Sequence, residues 1–455
     1  MMSKGSYKID MCNGPVLSKV IAFSLPLMMS SCLQLLFNAA DVIVVGQFAG
    51  KESLAAVGST TSLTNLLINL FIGLSIGANV TVGHTLGSGE IQGTRDNVHT
   101  AISLSLISGI MLVIIGLLFT RPLLVWMGAP EDVLLKASLY LKIIFIGMPA
   151  NMVYNFGSAI LRATGDTRRP LYFLSAAGVI NVILNLFFVI ALHMDVAGVA
   201  LATIISEGIS AVLILLCLCR MDGPCRLDLR RLYIHPRRMR RMMQIGLPAG
   251  IQNSLFSFSN VLIQSSINSF GSVVIAGNSA GASIENFVYI SMNAVHQAMV
   301  SFTSQNAGAG KAERINRILC SCLALVTVIG LVMGLGVNLF AVPLLSIYSS
   351  DPAVIAAGQT RLLWISAPYF LCGIMEVIMG VMRGLGYAIT PMIVSLSGAC
   401  LFRIVWLATA FAWFPTQEVL LASYPISWIL TSAIHALTYA WARKHHPLFT
   451  RPAAS

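Results

Sequence analysis

LRATGDTRRP, Leu161–Pro170, and MRGLGYAITP, Met382–Pro391, are two versions of one stretch, 221 positions apart. Each sets an Arg (Arg162, Arg383), then a Gly (Gly165, Gly386), then a Pro (Pro170, Pro391) at the same spacing. Within a residue or two, the same offset pairs Leu25-Pro26 with Leu247-Pro248, Asn38 with Asn260, Asn65 with Asn286, Gly87 with Gly308 and Pro122 with Pro343. The chain therefore holds two copies of a unit of roughly 220 residues, and long repeats in a membrane chain mark transporters built from two bundles.

The membrane setting comes from composition. Of 455 residues, 56% are hydrophobic and 10% charged, and the mean hydropathy is +0.82. A soluble domain carries about 25% charged residues. Bilayer hydrocarbon cannot satisfy a bare backbone, so a spanning helix needs ~20 mostly apolar residues. Leu104–Phe119, Val179–Leu192 and Cys320–Leu335 qualify with their flanks and lack the alternation of barrel strands. The expected fold is all-α and integral to the membrane, with twelve transmembrane helices in two six-helix bundles related by a parallel internal repeat. The spans read as 16–43, 54–82, 97–119, 133–157, 171–192 and 196–219, then 242–268, 275–304, 316–341, 353–381, 388–412 and 417–442. This divides the chain into an N-terminal lobe at 1–220, a basic linker at 221–241 and a C-terminal lobe at 242–455. The first run is too long for a signal peptide and lacks a cleavage-site flank, so it reads as the first span.

Charge sets orientation. The net charge is +11, and Lys and Arg crowd alternate span boundaries, including eight Arg between Arg220 and Arg241. On the same side lie Lys4, Lys8 and Lys19 near the start and Arg443, Lys444 and Arg451 near the end; the opposite side has Lys51 and Arg121. The positive-inside rule then puts both termini in the cytoplasm of a cell-membrane protein. No basic soluble domain exists to bind nucleic acid. The stretch 221–241 reads as a cytoplasmic linker along the membrane surface, and binding of anionic membrane lipids by its Arg cluster is the second reading. The nine Cys form no CxxC and no metal-ligand spacing, and read as small buried apolar residues. Pro26 and Pro248 lie inside the first span of each half and permit kinks. Ala129-Pro130-Glu131-Asp132 and Ser350-Asp351-Pro352 read as helix starts.

A charge at mid-bilayer costs at least ~2.5–3.5 kcal/mol, so each acid there needs a reason. Gln34, Asn38 and Asp41 share one helix face, and the repeat places Asn253, Ser257, Asn260 and Gln264 on the equivalent face of the seventh span. The acid occurs in one copy only, since the counterpart of Asp41 is Ile263. Asn278, Glu285, Tyr289, Asn293 and His296 line one face of the eighth span, with Thr64 as the counterpart of Glu285. Two readings stand for each acid. Asp41 is an ion site or an interfacial acid near a helix end. Glu285 is a cavity anion, with Tyr289 as a cation–π partner, or an interhelix hydrogen bond. A carboxyl in an apolar cavity trades ionisation against desolvation, which suits it to proton exchange. Glu207, with Thr203 and Ser210 on its face, lines a cavity or packs helices. Glu376 and Arg403 read as a buried structural pair.

No nucleophile–base set, HExxH or P-loop is present, so no enzyme activity is expected. A channel would need repeated pore charges, and these acids are unmatched across the repeat. A lipid or lipid-linked saccharide flippase would offer cations to a pyrophosphate; here the intramembrane charges are mainly acidic.

The chain resembles the multidrug and toxic compound extrusion (MATE) family. The resemblance rests on Leu25-Pro26, FNAADVIVVGQFAG (37–50), LAAVG (54–58), GHTLGSGE (83–90), AILRATGDTRRP (159–170), NVILN (181–185), QNAGAGK (305–311) and VMRGLG (381–386). It implies a two-lobed antiporter expelling organic cations against H+ or Na+, with no cofactor beyond that ion and a monomer as the unit. It also implies that Asp41 is the coupling acid, able to bind Na+, with Asn38, Asn181 and Asn185 around it. Asn185 stands where the family often has Asp, which leaves this site one carboxylate short. Substrate is expected at Glu285, Tyr289, Asn260, Gln34 and Glu207, in a cavity between the lobes.

Overall fold

The computed structural model describes residues 7–126 and 131–450. Lys4, Arg451 and the Ala129-Pro130 pair lie outside the described residues, as do the side chains of Lys51, Asn65 and Asp132. Among the described residues there is no strand. Twelve long helical segments follow one another: α1 (Val16–Ala49), α2 (Gly50–Gly87), α3 (Ile91–Trp126), α4 (Glu131–Ala163), α5 (Arg168–Ala191), α6 (Asp195–Cys219), α7 (Pro236–Asn268), α8 (Ser272–Gly308), α9 (Ala312–Leu339), α10 (Pro352–Gly384), α11 (Ile389–Trp413) and α12 (Gln417–His445). Ten are long and apolar enough to cross a membrane. The other two, α7 and α8, have 33 and 37 residues, ample length at about 1.5 Å per residue. They carry the polar faces read from the sequence, which lowers their hydropathy.

Backbone geometry repeats with the sequence. Gly50 and Gly271, Gly89 and Gly310, and Gly165 and Gly386 are pairs 221 positions apart, and all six have positive φ. These are tight turns between helices, where a side chain on a left-handed residue is strained. Helix starts follow local chemistry. Asp351 accepts the Ala353 N–H at 2.9 Å just before α10, as Ser350-Asp351-Pro352 predicts. The Asp166 carboxylate accepts the N–H groups of Arg168 and Arg169, both at 3.1 Å, at the start of α5.

The chain forms two compact units. The first holds residues up to Ile9 together with Met29–Gly250; the second holds Asp10–Met28 and everything from Ile251 onward. The divisions thus fall inside α1 and α7, close after Pro26 and Pro248, and not at the linker. Each Pro deprives its helix of one backbone hydrogen bond at that point. In the first unit α4 packs against α2, α3 and α6; in the second, α10, its repeat counterpart, packs against α8, α9 and α12.

The linker is not a free surface strand. It is seated on the first turns of α3, within the first unit. His99 stacks on Tyr233 with ring centroids 5.2 Å apart, and the Asp228 N–H donates to His99 Nε2 at 3.2 Å. Tyr233 donates to Asp96, the His235 N–H to Thr100 Oγ1 at 3.0 Å, and Arg238 pairs with Glu90. Burial, and next Asp96, push the Tyr233 hydroxyl up to about 12. The other Arg of the linker stay exposed.

The first unit is also closed by small residues. A Cβ on Gly73 would overlap the Gly250 backbone, one on Gly77 the Met242 carbonyl, and one on Gly250 the Leu70 carbonyl. Close backbone approach of this kind is how membrane helices associate without a hydrophobic drive. Overpacking costs about 1–3 kcal/mol or more. Gly250→Val is therefore expected to cut the amount of folded protein several-fold, with Gly250→Ala in between. Membrane levels and melting of detergent-solubilised protein check this; wild-type values for Val would contradict the approach.

Candidate functional site

Four wide π-helical turns occur among the described residues: Val45–Ala49 in α1, Phe187–Ala191 in α5, Leu362–Ser366 in α10 and Leu396–Leu401 in α11. Such a turn inserts a residue into the helical ladder and re-aims the side chains beside it. Within one turn of them, in the same order, lie Asp41, Asn185, Arg361 and Arg403. Each is a polar side chain that the apolar helices must otherwise accommodate at a cost.

In the first unit, Asn185 Nδ2 donates to Asp41 Oδ1 and also meets Asn181 Oδ1 at 3.2 Å. Asn181 and Asn185 are buried and Asp41 is half-buried. The Thr203 side chain lies beside the Asp41 carboxylate. Glu207 accepts from Asn151 Nδ2 at 2.8 Å, and Asn155 Nδ2 in turn donates to Asn151 Oδ1 at 2.9 Å. Glu207 is near enough to Asp41 for the two carboxylates to repel, and Tyr140 feels both. Among the described residues neither acid has an ion-pair partner. The buried Asn185 Oδ1 has no donor. A hard cation prefers oxygens of this kind; an amide flip of Asn185 would turn both its oxygen and the carboxylate towards one. Asp41, Asn181 and Asn185 are thus together, and Glu207 joins them. Gln34 and Asn38 are exposed and are not hydrogen-bonded to this cluster.

In the second unit the polar face of α8 looks onto α10. Both Glu285 oxygens accept from Arg361, the Nε contact being 3.2 Å, and Arg361 Nη1 donates to Asn278 Oδ1 at 3.2 Å. Of the two readings of Glu285, the geometry matches the interhelix contact and not the free cavity anion: its charge is met by Arg361, a cation in a span that the spacing of the acids did not point to. Tyr289 donates to Glu376 at 3.2 Å, and Asn293 reaches the other Glu376 oxygen at 3.5 Å. His296 Nδ1 sits 2.7 Å from the Glu376 carbonyl. The expected Glu376–Arg403 pair does not form. Glu376 is held from α8, whereas Arg403 turns to α12, donating to Ser427 Oγ at 3.2 Å with its guanidinium 4.1 Å from the Tyr424 ring centroid. Tyr289 is committed to a stack on Tyr369, 6.4 Å between centroids. Asn260 is exposed on α7.

No group of three or more His, Cys, Asp or Glu that could hold a metal ion occurs among the described residues. The arrangement offers carboxylates and amides to an ion in the first unit, and charged groups beside aromatic rings in the second.

Comparison with known proteins gives one family. The MatE profile matches residues 26–187 and again 248–409, one match per repeat. The "Probable multidrug resistance protein YpnP" of Bacillus subtilis (strain 168) is 27% identical over 453 residues, 97% of this chain and 99% of that one. The "FAD transporter" of Shewanella oneidensis is 25% identical over 425 residues, covering 92% and 93%. The solved bent form of the Vibrio cholerae MATE transporter VcmN superposes with a TM-score of 0.88 at 20% identity, over 96% of this chain and 99% of that one.

Proposed function

Because the chain belongs to the MatE family of multi-pass membrane transporters, we propose that it exports small organic molecules, lipophilic cations foremost, by antiport with H+ or Na+. Asp41 is the coupling acid. One observation carries this reading: Asp41 and Glu207 lie close together in membrane spans, with amides and hydroxyls around them and no cationic partner among the described residues. An intramembrane carboxylate without a counter-ion must take up a proton or a cation, and either event removes charge from a desolvated place. Removing it changes which helix arrangement is favoured, which is the coupling an antiporter needs. Asn185 supports the reading from the other side, since its buried oxygen has no donor. Its amide holds the carboxylate when the ion is absent, and the oxygens of Asp41, Asn181 and Thr203 stand ready for Na+.

The cation preference rests on Asp41 and Glu207, and in the second unit on Glu376, which is free of a salt bridge. Glu285 is already neutralised. The names of the relatives, a multidrug resistance protein and an FAD transporter, both denote passage of small organic molecules. In this reading the basic side is cytoplasmic, with the exposed Arg of the linker at the headgroups, and an inward gradient of H+ or Na+ drives substrate out of the cell.

Proteoliposomes with pH and Na+ gradients imposed separately test this. One of the two is expected to drive a fluorescent lipophilic cation against its gradient. Movement that ignores both gradients would overturn the antiport reading.

A further inference from the structure

The stretch Asp10–Gly14, just ahead of Pro15 and α1, is held more closely than a loop needs. Every carbonyl in it accepts from a side chain of the second unit. Lys19 Nζ donates to the Asp10 and Asn13 oxygens, each at 2.7 Å. Asn306 Nδ2 reaches the Met11 oxygen at 3.0 Å. Lys311 Nζ donates to the Cys12 oxygen at 2.9 Å and to Asn13 Oδ1 at 2.8 Å. Arg314 spends every guanidinium nitrogen there: Nε on the Met11 oxygen at 3.1 Å, Nη1 on Gly14 at 2.9 Å and Nη2 on Asn13 at 2.8 Å. The Asp10 carboxylate closes the stretch on itself by accepting the N–H groups of Cys12 and Asn13. Met11 is wholly buried. Among the described residues Lys19, Lys311 and Arg314 form no ion pair, so their charges serve main-chain oxygens.

The internal repeat marks this as a built seat. Pro15 and Pro236 stand 221 positions apart at the starts of α1 and α7. Gly89-Glu90 and Gly310-Lys311 correspond at the same offset, each a positive-φ Gly followed by the residue that grips. In the first unit Glu90 holds Arg238, and Gly93 leaves the room, since a Cβ there would strike both side chains. The counterpart of Gly93 in the second unit is Arg314. The arginine thus comes from the seated segment in one unit and from the seat in the other. In both, the turn after the second helix of the repeat receives the segment that leads into a first helix. α1 alone of the two then carries an acid onward: it belongs to the second unit up to Met28 and to the first unit from Met29, where Asp41 lies.

We propose that Arg314, with Lys311 and Lys19, is a clasp that makes α1 the coupling strut of the transporter. It fastens the leading part of α1 within the second unit, so that ion uptake or release at Asp41 is passed along the helix and not lost in movement of a loose segment. A packed helix carries a bias from one place to another when both of its ends are held. A guanidinium suits the task, because its rigid fork meets several oxygens at once and never loses its charge. These are positioning residues: they touch main chain, and neither ion nor substrate. The inference rests on the export reading with Asp41 as coupling acid.

Arg314→Ala and Arg314→Lys, purified at full length, test it in two measurements. The first is hydrogen–deuterium exchange. In the Ala variant, exchange within Asp10–Met28 is expected to quicken at least about tenfold, the scale of one lost charged hydrogen bond, with α12 unchanged. The second is coupling in proteoliposomes. A fluorescent lipophilic cation running down its own gradient is expected to drive H+ or Na+ the other way in wild type. In the Ala variant the cation should still move, with the counter-ion carried per cation reduced at least about twofold, which a merely structural loss would leave unaltered. Arg314→Lys keeps the charge without the fork and should fall between in both measurements. If the Ala variant does not fold, Arg314→Lys and Lys311→Ala decide. Unchanged exchange in Asp10–Met28 would overturn the clasp, and faster exchange with wild-type coupling would overturn the strut. Wild type that moves no counter-ion would sink the export reading, and this inference with it; coupled wild type beside equally coupled variants would sink this inference alone.

Discussion

Asp41→Asn is expected to bring gradient-driven export down to the level of empty vesicles while the protein remains in the membrane at normal amounts. The substitution keeps the shape of the side chain, and Asn185 can still donate to its oxygen. What it removes is the carboxylate that takes up H+ or Na+ in this reading, while Glu207 stays with its own partner, Asn151. A lone carboxylate in a span costs at least ~2.5–3.5 kcal/mol on insertion scales. The variant should therefore melt no lower than wild type. Loss of function with stability retained or raised is the signature of a site that a fold maintains at its own expense. Efflux of a fluorescent cation from proteoliposomes, together with melting in detergent, measures both halves. Wild-type efflux would reduce Asp41 to an interhelix contact.

The second large effect concerns stability. Arg361→Gln leaves Glu285 buried beside Asn278 without its cation, and breaking a buried pair from one side costs about 3–5 kcal/mol. Most molecules are then expected to be lost during solubilisation. Glu285→Gln should be damaging for the converse reason. The double variant removes both charges, leaves two amides able to bond each other, and should recover most of the loss. Thermal melting of the four proteins forms a cycle whose coupling term reports the pair directly. If the singles and the double melt together with wild type, the pair is wet and its burial is not what holds α8 to α10. The rescued double variant should still transport cations, because the charge of Glu285 is spent on Arg361.

The periodic features were legible early. Gln34, Asn38 and Asp41, and again Asn278 through His296, could be put on helix faces from spacing alone, because an α-helix brings i, i+4 and i+7 to one side. The π-helical turns could not: they depend on a register shift that residue spacing does not encode. Arg361 is a cation in a span, and the cost argument applied to the acids applies to it equally. The Glu376–Arg403 pair failed for a different reason. Both residues are in neighbouring spans, but neighbouring in sequence says nothing about which of several packed helices a side chain turns to. Glu376 found Tyr289 and Asn293 on α8; Arg403 found Ser427 and Tyr424 on α12. The linker likewise read only as a basic segment along the membrane surface, since nothing local announces that Tyr233 and His235 have partners more than a hundred residues earlier.

The sequence by itself determined the membrane class, the twelve helices, the repeat and the identity of Asp41 as a carboxylate without a counterpart. Those follow from composition, periodicity and internal comparison, which are local or additive properties. Tertiary structure alone decided which buried charges are spent and which are free. Glu285 was closed by Arg361, and Arg403 was left facing a ring and a hydroxyl. It also decided that the compact units divide within α1 and α7, and not in the linker. Whether a buried charge has a partner depends on distances of a few ångströms between helices far apart in the chain, and the helical period fixes only the face from which each residue starts.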